Sequence, residues 1–228
     1  MTIRPNSGTG TGPITPDGSS VNFYRLVPAR GEPEIVAGVV PPGGSILDLG
    51  AGIGRIAHPL IELGYEVVAV DESAEMLAHV RGAPTVRSRI QGLDLGRRFD
   101  GVLLASQLVH TADEEGRQGL LETCARHVAP DGSVVIQWTP PERHDAWEVG
   151  RGRTDGGLRL ELAALERVAP GVFDATMRYS HEGNVWTQSF TSRRLSDEDL
   201  AEALADAGLR LDRFLTEDRT WLRAAPGG

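Results

Sequence analysis

Several features that would place this chain in a specialised class are missing from it. It has one cysteine, Cys124, so it forms no internal disulfide, and no cluster of Cys and His has the spacing of zinc ligands. No apolar run approaches the roughly 18 residues of a membrane span. Lysine and arginine form no dense cluster, and the formal net charge is −9. We therefore expect no metal, no membrane partner and no nucleic-acid partner.

The ends of the sequence and its composition suggest an ordinary globular protein. The N-terminus lacks the charged-then-apolar order of a signal peptide, so we expect a cytoplasmic protein. A length of 228 residues suits one α/β domain, as a monomer or homodimer. Residues 1–20 are rich in Gly, Thr, Ser and Pro, which predicts a flexible N-terminal arm. Residues 21–228 are expected to form a single domain.

Strands and helices alternate regularly from residue 45 to residue 138. Predicted strands cover residues 46–49, 66–70, 85–88, 99–105 and 133–138, with predicted helices in three of the four intervals, at 54–63, 74–80 and about 111–128. Such alternation implies right-handed crossovers and a parallel sheet covered on both faces. The fold class is therefore α/β, of the doubly wound Rossmann-like kind.

The pattern changes after Pro140-Pro141. Residues 158–168, 172–181 and 185–194 are predicted strands joined by short turns, which indicates an antiparallel β insertion at about 156–194. We expect this insertion to act as a lid. A helix beginning with the capping sequence at Ser196 and two closing strands, near 209–215 and 220–224, follow it.

The most informative motif follows the first strand of the sheet. Residues 46–55 read Ile-Leu-Asp-Leu-Gly-Ala-Gly-Ile-Gly-Arg, and the second strand ends on Asp71. Glycines at 50, 52 and 54 allow a sharp turn that can lie against a ligand, because a Cβ would collide with it. An acid at the carboxyl end of the second strand can accept hydrogen bonds from the hydroxyls of a ribose. The motif predicts a nucleotide-type cofactor site.

With these residues the chain resembles the class I S-adenosylmethionine-dependent methyltransferases, over roughly residues 24–224. Its glycine spacing is G-x-G-x-G, whereas the dinucleotide fingerprint is G-x-G-x-x-G, and Asp-Glu-Ser-Ala-Glu-Met-Leu at 71–77 is similar to the family's Asp-x-Ser-x-x-Met-Leu. The resemblance implies a seven-stranded sheet of order 3-2-1-4-5-7-6 with the last strand antiparallel. It implies S-adenosylmethionine as cofactor and in-line methyl transfer to a small-molecule oxygen or nitrogen.

The resemblance also assigns residues to the cofactor. It places Asp48 near the methionyl amino group, and Tyr24 and Arg30 near the methionyl carboxylate. Met76 would lie beneath the adenine. The full set that it places around the cofactor is Tyr24, Arg30, Asp48, Gly50, Ala51, Gly52, Gly54, Asp71, Glu72, Met76, Arg89, Ile90, Ala105 and Ser106.

Two parts of the site depart from a simple carry-over. Similar enzymes often have an acid after the third strand to accept from the adenine amine, but here Arg89 occupies that position. We therefore expect adenine to meet the backbone of Arg89 and Ile90. On the acceptor side, Gln107 and His110 are the candidate catalytic residues, with His110 as general base near neutral pH.

Each assignment has a structural alternative. Tight turns favour glycine, Asp71 or Ser73 could cap the next helix, and His110 could be a loop residue with no part in proton transfer. Three other functions also remain open. The chain could bind the cofactor for a cyclisation or elimination, could bind an adenosine ligand without turnover, or could be an NAD-dependent dehydrogenase.

Overall fold

A computed structural model describes residues 4–227, which form two β-sheets and the helices that cover them. The larger sheet has seven strands in the order β11-β12-β6-β5-β2-β3-β4. Numbered along that sheet alone, this order is 3-2-1-4-5-7-6 read from the other edge. The strands are β2 Ser45–Leu49, β3 Glu66–Asp71, β4 Thr85–Arg87, β5 Phe99–Leu104, β6 Val128–Gln137, β11 Leu209–Phe214 and β12 Trp221–Pro226.

The strand directions confirm the predicted fold. Five adjacent strands run parallel to one another, in the order β4, β3, β2, β5 and β6. Strand β12 is antiparallel to both β6 and β11. One difference concerns residues 130–132, which fall between the predicted helix at about 111–128 and the predicted strand at 133–138. They lie within β6, where Phe99 pairs with Val128 and Gly101 with Ser133, so the extra residues form a bulge.

Helices cover both faces of this sheet because its central strands are apolar on both sides. The helices are α1 Val21–Tyr24, α2 Glu32–Ala37, α3 Ala57–Glu62, α4 Ala74–Leu77, α5 Glu114–His127, α6 Pro141–Asp145 and α7 Asp197–Asp206. One core contains Leu121, Cys124 and Leu200, and the other contains Val36 and Leu60. Cys124 is fully buried, and burial raises the pKa of its thiol to about 12, so it is core packing rather than a nucleophile. Within residues 4–227 no helix has the length and apolarity to cross a membrane.

The second sheet is antiparallel and contains five strands, in the order β1-β10-β9-β8-β7. Its strands are β1 Ser7–Thr9, β7 Gly152–Asp155, β8 Leu158–Ala169, β9 Val172–His181 and β10 Asn184–Arg193. In the sequence, four of these strands, β7 to β10, come between β6 and β11 of the main sheet. The insertion thus begins slightly before the predicted residue 156.

The fifth strand of that sheet comes from the N-terminus, so the prediction of a flexible arm is wrong for residues 4–20. Ser7 pairs with Ser189 of β10, and the indole Nε1 of Trp186 donates to the carbonyl oxygen of Thr11 at 3.0 Å. The glycines there serve close packing: a Cβ on Gly8 would lie 2.0 Å from the carbonyl oxygen of Gly18. We call residues 4–20 the N-terminal strap. Residues 1–3 of the predicted arm lie outside the described part of the chain.

Candidate active site

The loop between β2 and α3 brings the predicted glycines together in the left-handed region of backbone space. Gly50, Gly52 and Gly54 have φ of 75°, 55° and 83°. Gly50 and Ala51 donate their N–H groups to the carbonyl oxygen of Val70, both at 2.9 Å. A Cβ on Gly52 would approach nothing closer than 4.0 Å. This glycine therefore presents bare backbone to open space, as a loop that cradles a ligand must.

Asp71 binds this loop to the end of β3. Its Oδ2 accepts the Gly52 N–H at 2.9 Å, and its Oδ1 accepts the Ser73 N–H at 2.8 Å. Ser73, not Asp71, is the N-cap of α4, because its hydroxyl accepts from the Met76 N–H. Burial raises the pKa of Asp71 despite these hydrogen bonds. Asp71 is thus a partly desolvated acceptor beside the open loop.

Asp48 is a buried acid directly before that loop. Its side chain is 2% exposed, and burial raises its pKa to about 7, with Asp71 adding to the rise and Arg55 opposing it. Arg55 also forms a salt bridge with Glu32, Nη1 to Oε1 at 2.5 Å. Sequence reasoning missed Arg55, although it directly follows the glycine motif. An ammonium group held by Asp48 would be a second positive charge near this carboxylate, in addition to Arg55.

The two residues predicted from the N-terminal region, Tyr24 and Arg30, make different contacts in the structure. Tyr24 lies at the site, where burial and the negative charge of Asp17 raise the pKa of its hydroxyl. Arg30 instead forms an ion pair with Asp155 of β7. In this structure its guanidinium contacts the second sheet, and its place at the methionyl carboxylate stays a prediction.

The adenine end is formed by apolar side chains around the glycine loop. The Met76 sulfur lies 4.0 Å from the Cβ position of Gly52, and the Ile90 side chain lies 3.7 Å from that of Gly50. Met76 and Ile90 are both buried. The Ile90 carbonyl oxygen already accepts from the Thr123 hydroxyl at 2.8 Å, which leaves it a weaker candidate for the adenine amine than expected.

Polar groups at this end face outward. The Arg89 side chain is exposed, and its carbonyl oxygen accepts from the Ser88 hydroxyl at 2.8 Å. Glu72 is half-buried, and burial raises its pKa while Arg89 opposes the rise. Arg89 therefore acts on Glu72 electrostatically from the solvent side.

The end of β5 carries backbone strain. Ser106 and Gln107 follow the buried Ala105 and have φ of 54° and 60°, a region that costs a non-glycine residue on the order of 1 kcal/mol or more. The Ser106 N–H donates to Oε1 of Gln137 at 2.8 Å, which holds this turn against the end of β6. Strain of this kind is typical of functional sites, and here it turns both side chains toward a cavity.

His110 is a structural residue in this arrangement, which corrects its prediction as a general base. It is 4% exposed; Nδ1 lies 2.7 Å from the carbonyl oxygen of Arg193, and Nε2 accepts the Thr139 N–H at 2.7 Å. Burial lowers its pKa to about 4. With both nitrogens engaged it has none with which to take a substrate proton. It joins the β5 turn to the segment after β6 and to β10.

The cavity beside Gln107 has a volume of about 780 Å³. It lies between the end of the main sheet, the N-terminal strap and the second sheet, and its wall contains Asp17, Tyr24, Ser106, Gln107, Trp147, Leu160, Leu162, Met177, Tyr179, Gln188, Phe190 and Ser192. Of the tryptophans near the predicted lid only Trp147 lines it, since Trp138 and Trp186 are buried elsewhere. The volume fits a drug-sized molecule.

Comparison with known proteins supports the predicted family. A family model described as a methyltransferase domain matches residues 46–132. The chain is 29% identical to an uncharacterized methyltransferase of Mycobacterium tuberculosis over 189 residues, covering 79% of this chain and 73% of the relative. These matches support a class I S-adenosylmethionine-dependent methyltransferase. The family match, the glycine loop and the acid after the second strand agree in this.

Solved structures show the same fold for this methyltransferase. A sugar N-methyltransferase from Streptoalloteichus superposes with a TM-score of 0.70 at 23% identity, over 96% of this chain and 99% of that one. A glycopeptide N-methyltransferase, MtfA, superposes with a TM-score of 0.61 at 21% identity, over 88% and 95% of the two chains, and has been solved with S-adenosylmethionine and with sinefungin.

The cofactor of this methyltransferase is S-adenosylmethionine, and the residues around the loop suit it. The buried Asp48 carboxyl lacks full compensation, and Gly52 offers unobstructed backbone. When bound, S-adenosylmethionine supplies a methyl group on a sulfonium that is already a good leaving group. The protein therefore has to align the acceptor rather than activate the methyl group.

Proposed function

We propose that this methyltransferase methylates a nitrogen or oxygen of a small molecule bound in the cavity between the main sheet and the second sheet. The observation that supports this most is the cavity itself, whose wall joins Ser106 and Gln107 at the end of β5 to the second sheet. It is large enough for a small molecule. The two N-methyltransferases named above share the fold, and one of them acts on a sugar.

In this proposal each residue has a defined part. Asp71 accepts from the ribose hydroxyls, Asp48 holds the methionyl ammonium and Met76 packs beneath the adenine. Gln107 and Tyr24 border the acceptor. The second sheet forms the outer wall and acts as the lid, and residues 4–227 work as one domain.

The acceptor site can be tested separately from the cofactor site. Purified enzyme is incubated with S-adenosylmethionine and a panel of small amines and alcohols, and S-adenosylhomocysteine formation is measured. Met177→Trp fills the cavity from β9 and should abolish turnover while S-adenosylhomocysteine binding is retained. Val168→Trp is the matched control, because Val168 is 41% exposed on β8 and lies outside the cavity wall.

Equal turnover in the two tryptophan variants would contradict an acceptor site in this cavity. The melting temperatures of both variants are compared with wild type, so that a loss of fold is not mistaken for a loss of acceptor binding.

A further inference from the structure

The N-terminal strap places one carboxylate, that of Asp17, on the wall of the acceptor cavity. The hydroxyl of Thr15 donates to its Oδ1, and the hydroxyl of Ser19 donates to its Oδ2 at 2.7 Å. Gln188 of β10 fixes this segment from the other side, since its Nε2 donates to the Ser19 hydroxyl oxygen at 2.9 Å. The Tyr179 hydroxyl in turn donates to Oε1 of Gln188 at 3.2 Å. Asp17 is therefore held in one position before any acceptor binds.

Asp17 has no positive partner on the described part of the chain. None of the ion pairs among residues 4–227 includes it, whereas Glu32 pairs with Arg55 and Asp155 pairs with Arg30. Its hydrogen-bond donors are neutral hydroxyls and a backbone N–H. Arg143, Arg151 and Arg153 also line the cavity, but none of them forms an ion pair with Asp17. A half-buried carboxylate without an ion-pair partner favours a cationic ligand beside it.

The field of Asp17 reaches both halves of the site. Burial is the main cause that raises the pKa of Tyr24 and Tyr179 on the acceptor side and of Asp71 and Glu72 on the cofactor side, and the charge of Asp17 adds to each rise. Arg55 opposes the rise at Tyr24 and Arg89 opposes it at Glu72, but among residues 4–227 neither forms an ion pair with Asp17. The charge of Asp17 therefore acts on Tyr24 on the acceptor side and on Asp71 on the cofactor side.

We propose that Asp17 makes this enzyme an N-methyltransferase, by stabilising positive charge on an amine acceptor. This inference rests on the proposed function above. In the reaction, the nitrogen lone pair forms the N–C bond, the C–S bond breaks with its electron pair going to sulfur, and the positive charge moves from sulfur to nitrogen. A carboxylate beside the acceptor stabilises the charge that develops there. Transfer to a hydroxyl also releases the hydroxyl proton and leaves a neutral ether, so no positive charge remains on the acceptor for Asp17 to stabilise.

Sinefungin tests this without knowledge of the natural acceptor, because it carries an amine where S-adenosylmethionine carries its methyl group. We compare its affinity with that of neutral S-adenosylhomocysteine by calorimetry, in the wild type and in Asp17→Asn. Because the contact is charge-assisted, we expect Asp17→Asn to lose roughly tenfold in sinefungin affinity. Its affinity for S-adenosylhomocysteine should stay within about twofold of the wild-type value. Asp206→Asn, an exposed acid on α7 outside the cavity wall, is the control and should change neither.

Asp17→Glu keeps the charge and should keep most of the preference for sinefungin, which separates charge from the packing of the strap. An unchanged ratio of the two affinities in Asp17→Asn would overturn the proposal. If Asp17→Asn unfolds, Asp17→Glu decides: a glutamate variant that binds sinefungin no better than S-adenosylhomocysteine, where the wild type prefers sinefungin, contradicts it.

A second measurement compares matched amine and alcohol acceptors of one scaffold in the wild type. Two results together support the proposal. The wild type transfers methyl groups faster to the amine than to the alcohol, and Asp17→Asn reduces transfer to the amine more than transfer to the alcohol. Transfer to the alcohol alone refutes the assignment to nitrogen while leaving the proposed function intact. Absence of transfer to every small molecule would instead refute the proposed function, and the sinefungin ratio would still report on Asp17.

Discussion

The backbone N–H of Gly52 donates to the Asp71 carboxylate at 2.9 Å. Among the three glycines of this loop, Gly52 is the one whose Cα face is open, and the hydrogen bond joins it to the acid that ends the neighbouring strand. One carboxylate thus shapes the loop and, in our proposal, keeps lone pairs for a ribose. This relationship explains why a glycine loop and an acid 19 residues later act as a unit.

Asp71→Ala should weaken S-adenosylhomocysteine binding by about 1–3 kcal/mol, because buried donors on the loop and ligand lose their acceptor. Isothermal titration measures the change. Ser73→Ala removes the cap of α4 without touching the loop carboxylate and serves as the control. Equal affinities in the wild type and Asp71→Ala would mean that Asp71 only supports the loop.

Cofactor affinity should depend on pH through Asp48. Its pKa is about 7 in the unliganded protein, and an ammonium group beside it favours the ionised carboxylate. Binding therefore releases a proton, and affinity for S-adenosylhomocysteine should fall about tenfold between about pH 8 and about pH 6. Asp48→Asn should bind weakly with little pH dependence over this range. A wild-type affinity that is flat across it would show that Asp48 does not hold the ammonium.

The same carboxyl should cost the unliganded protein stability at high pH. The folded pKa of about 7 lies above the ordinary value of 3.8, so the folded state binds more protons between these values. The free energy of unfolding therefore decreases as pH rises from about 4 to about 7, and the full cost is present above that. Asp48→Asn should raise the unfolding free energy at about pH 8 by on the order of 2 kcal/mol. Chemical denaturation of the wild type and of Asp48→Asn at about pH 8 measures this difference. A variant that is less stable than the wild type at that pH would contradict this account.

His110→Ala should reduce stability rather than turnover. It leaves the buried Arg193 carbonyl and Thr139 N–H without their partner, at a cost of about 1–3 kcal/mol each before relaxation. The folded variant should keep the pH profile of the wild type. A stable variant that loses about 100-fold or more in turnover would restore the general-base assignment.

The sheet could be predicted from sequence because its signals are local and repeated. Each parallel strand is an apolar run, and Gly50, Gly52 and Asp71 mark the ends of two of them. The order of strands came from the family resemblance rather than from periodicity. The family match and the solved structures confirm it.

The acceptor side could not be predicted because it depends on contacts distant in sequence. The glycines of the strap are typical of flexible chain, yet Gly10 sits against the indole of Trp186, 176 residues away. The position of Asp17 depends on Gln188 of β10, which is distant in sequence and holds the Asp17 segment through the Ser19 hydroxyl. His110 had the right residue type in the right place, but its two hydrogen-bond partners lie after β6 and at the end of β10.

The most direct test of the central claim is a calorimetric comparison of S-adenosylhomocysteine and NAD on the purified wild-type protein. The glycine loop, Asp48 and Asp71 predict a dissociation constant for S-adenosylhomocysteine in the micromolar range or tighter, about −8 kcal/mol, and no measurable binding of NAD. Tight binding of NAD without a response to S-adenosylhomocysteine would contradict the account.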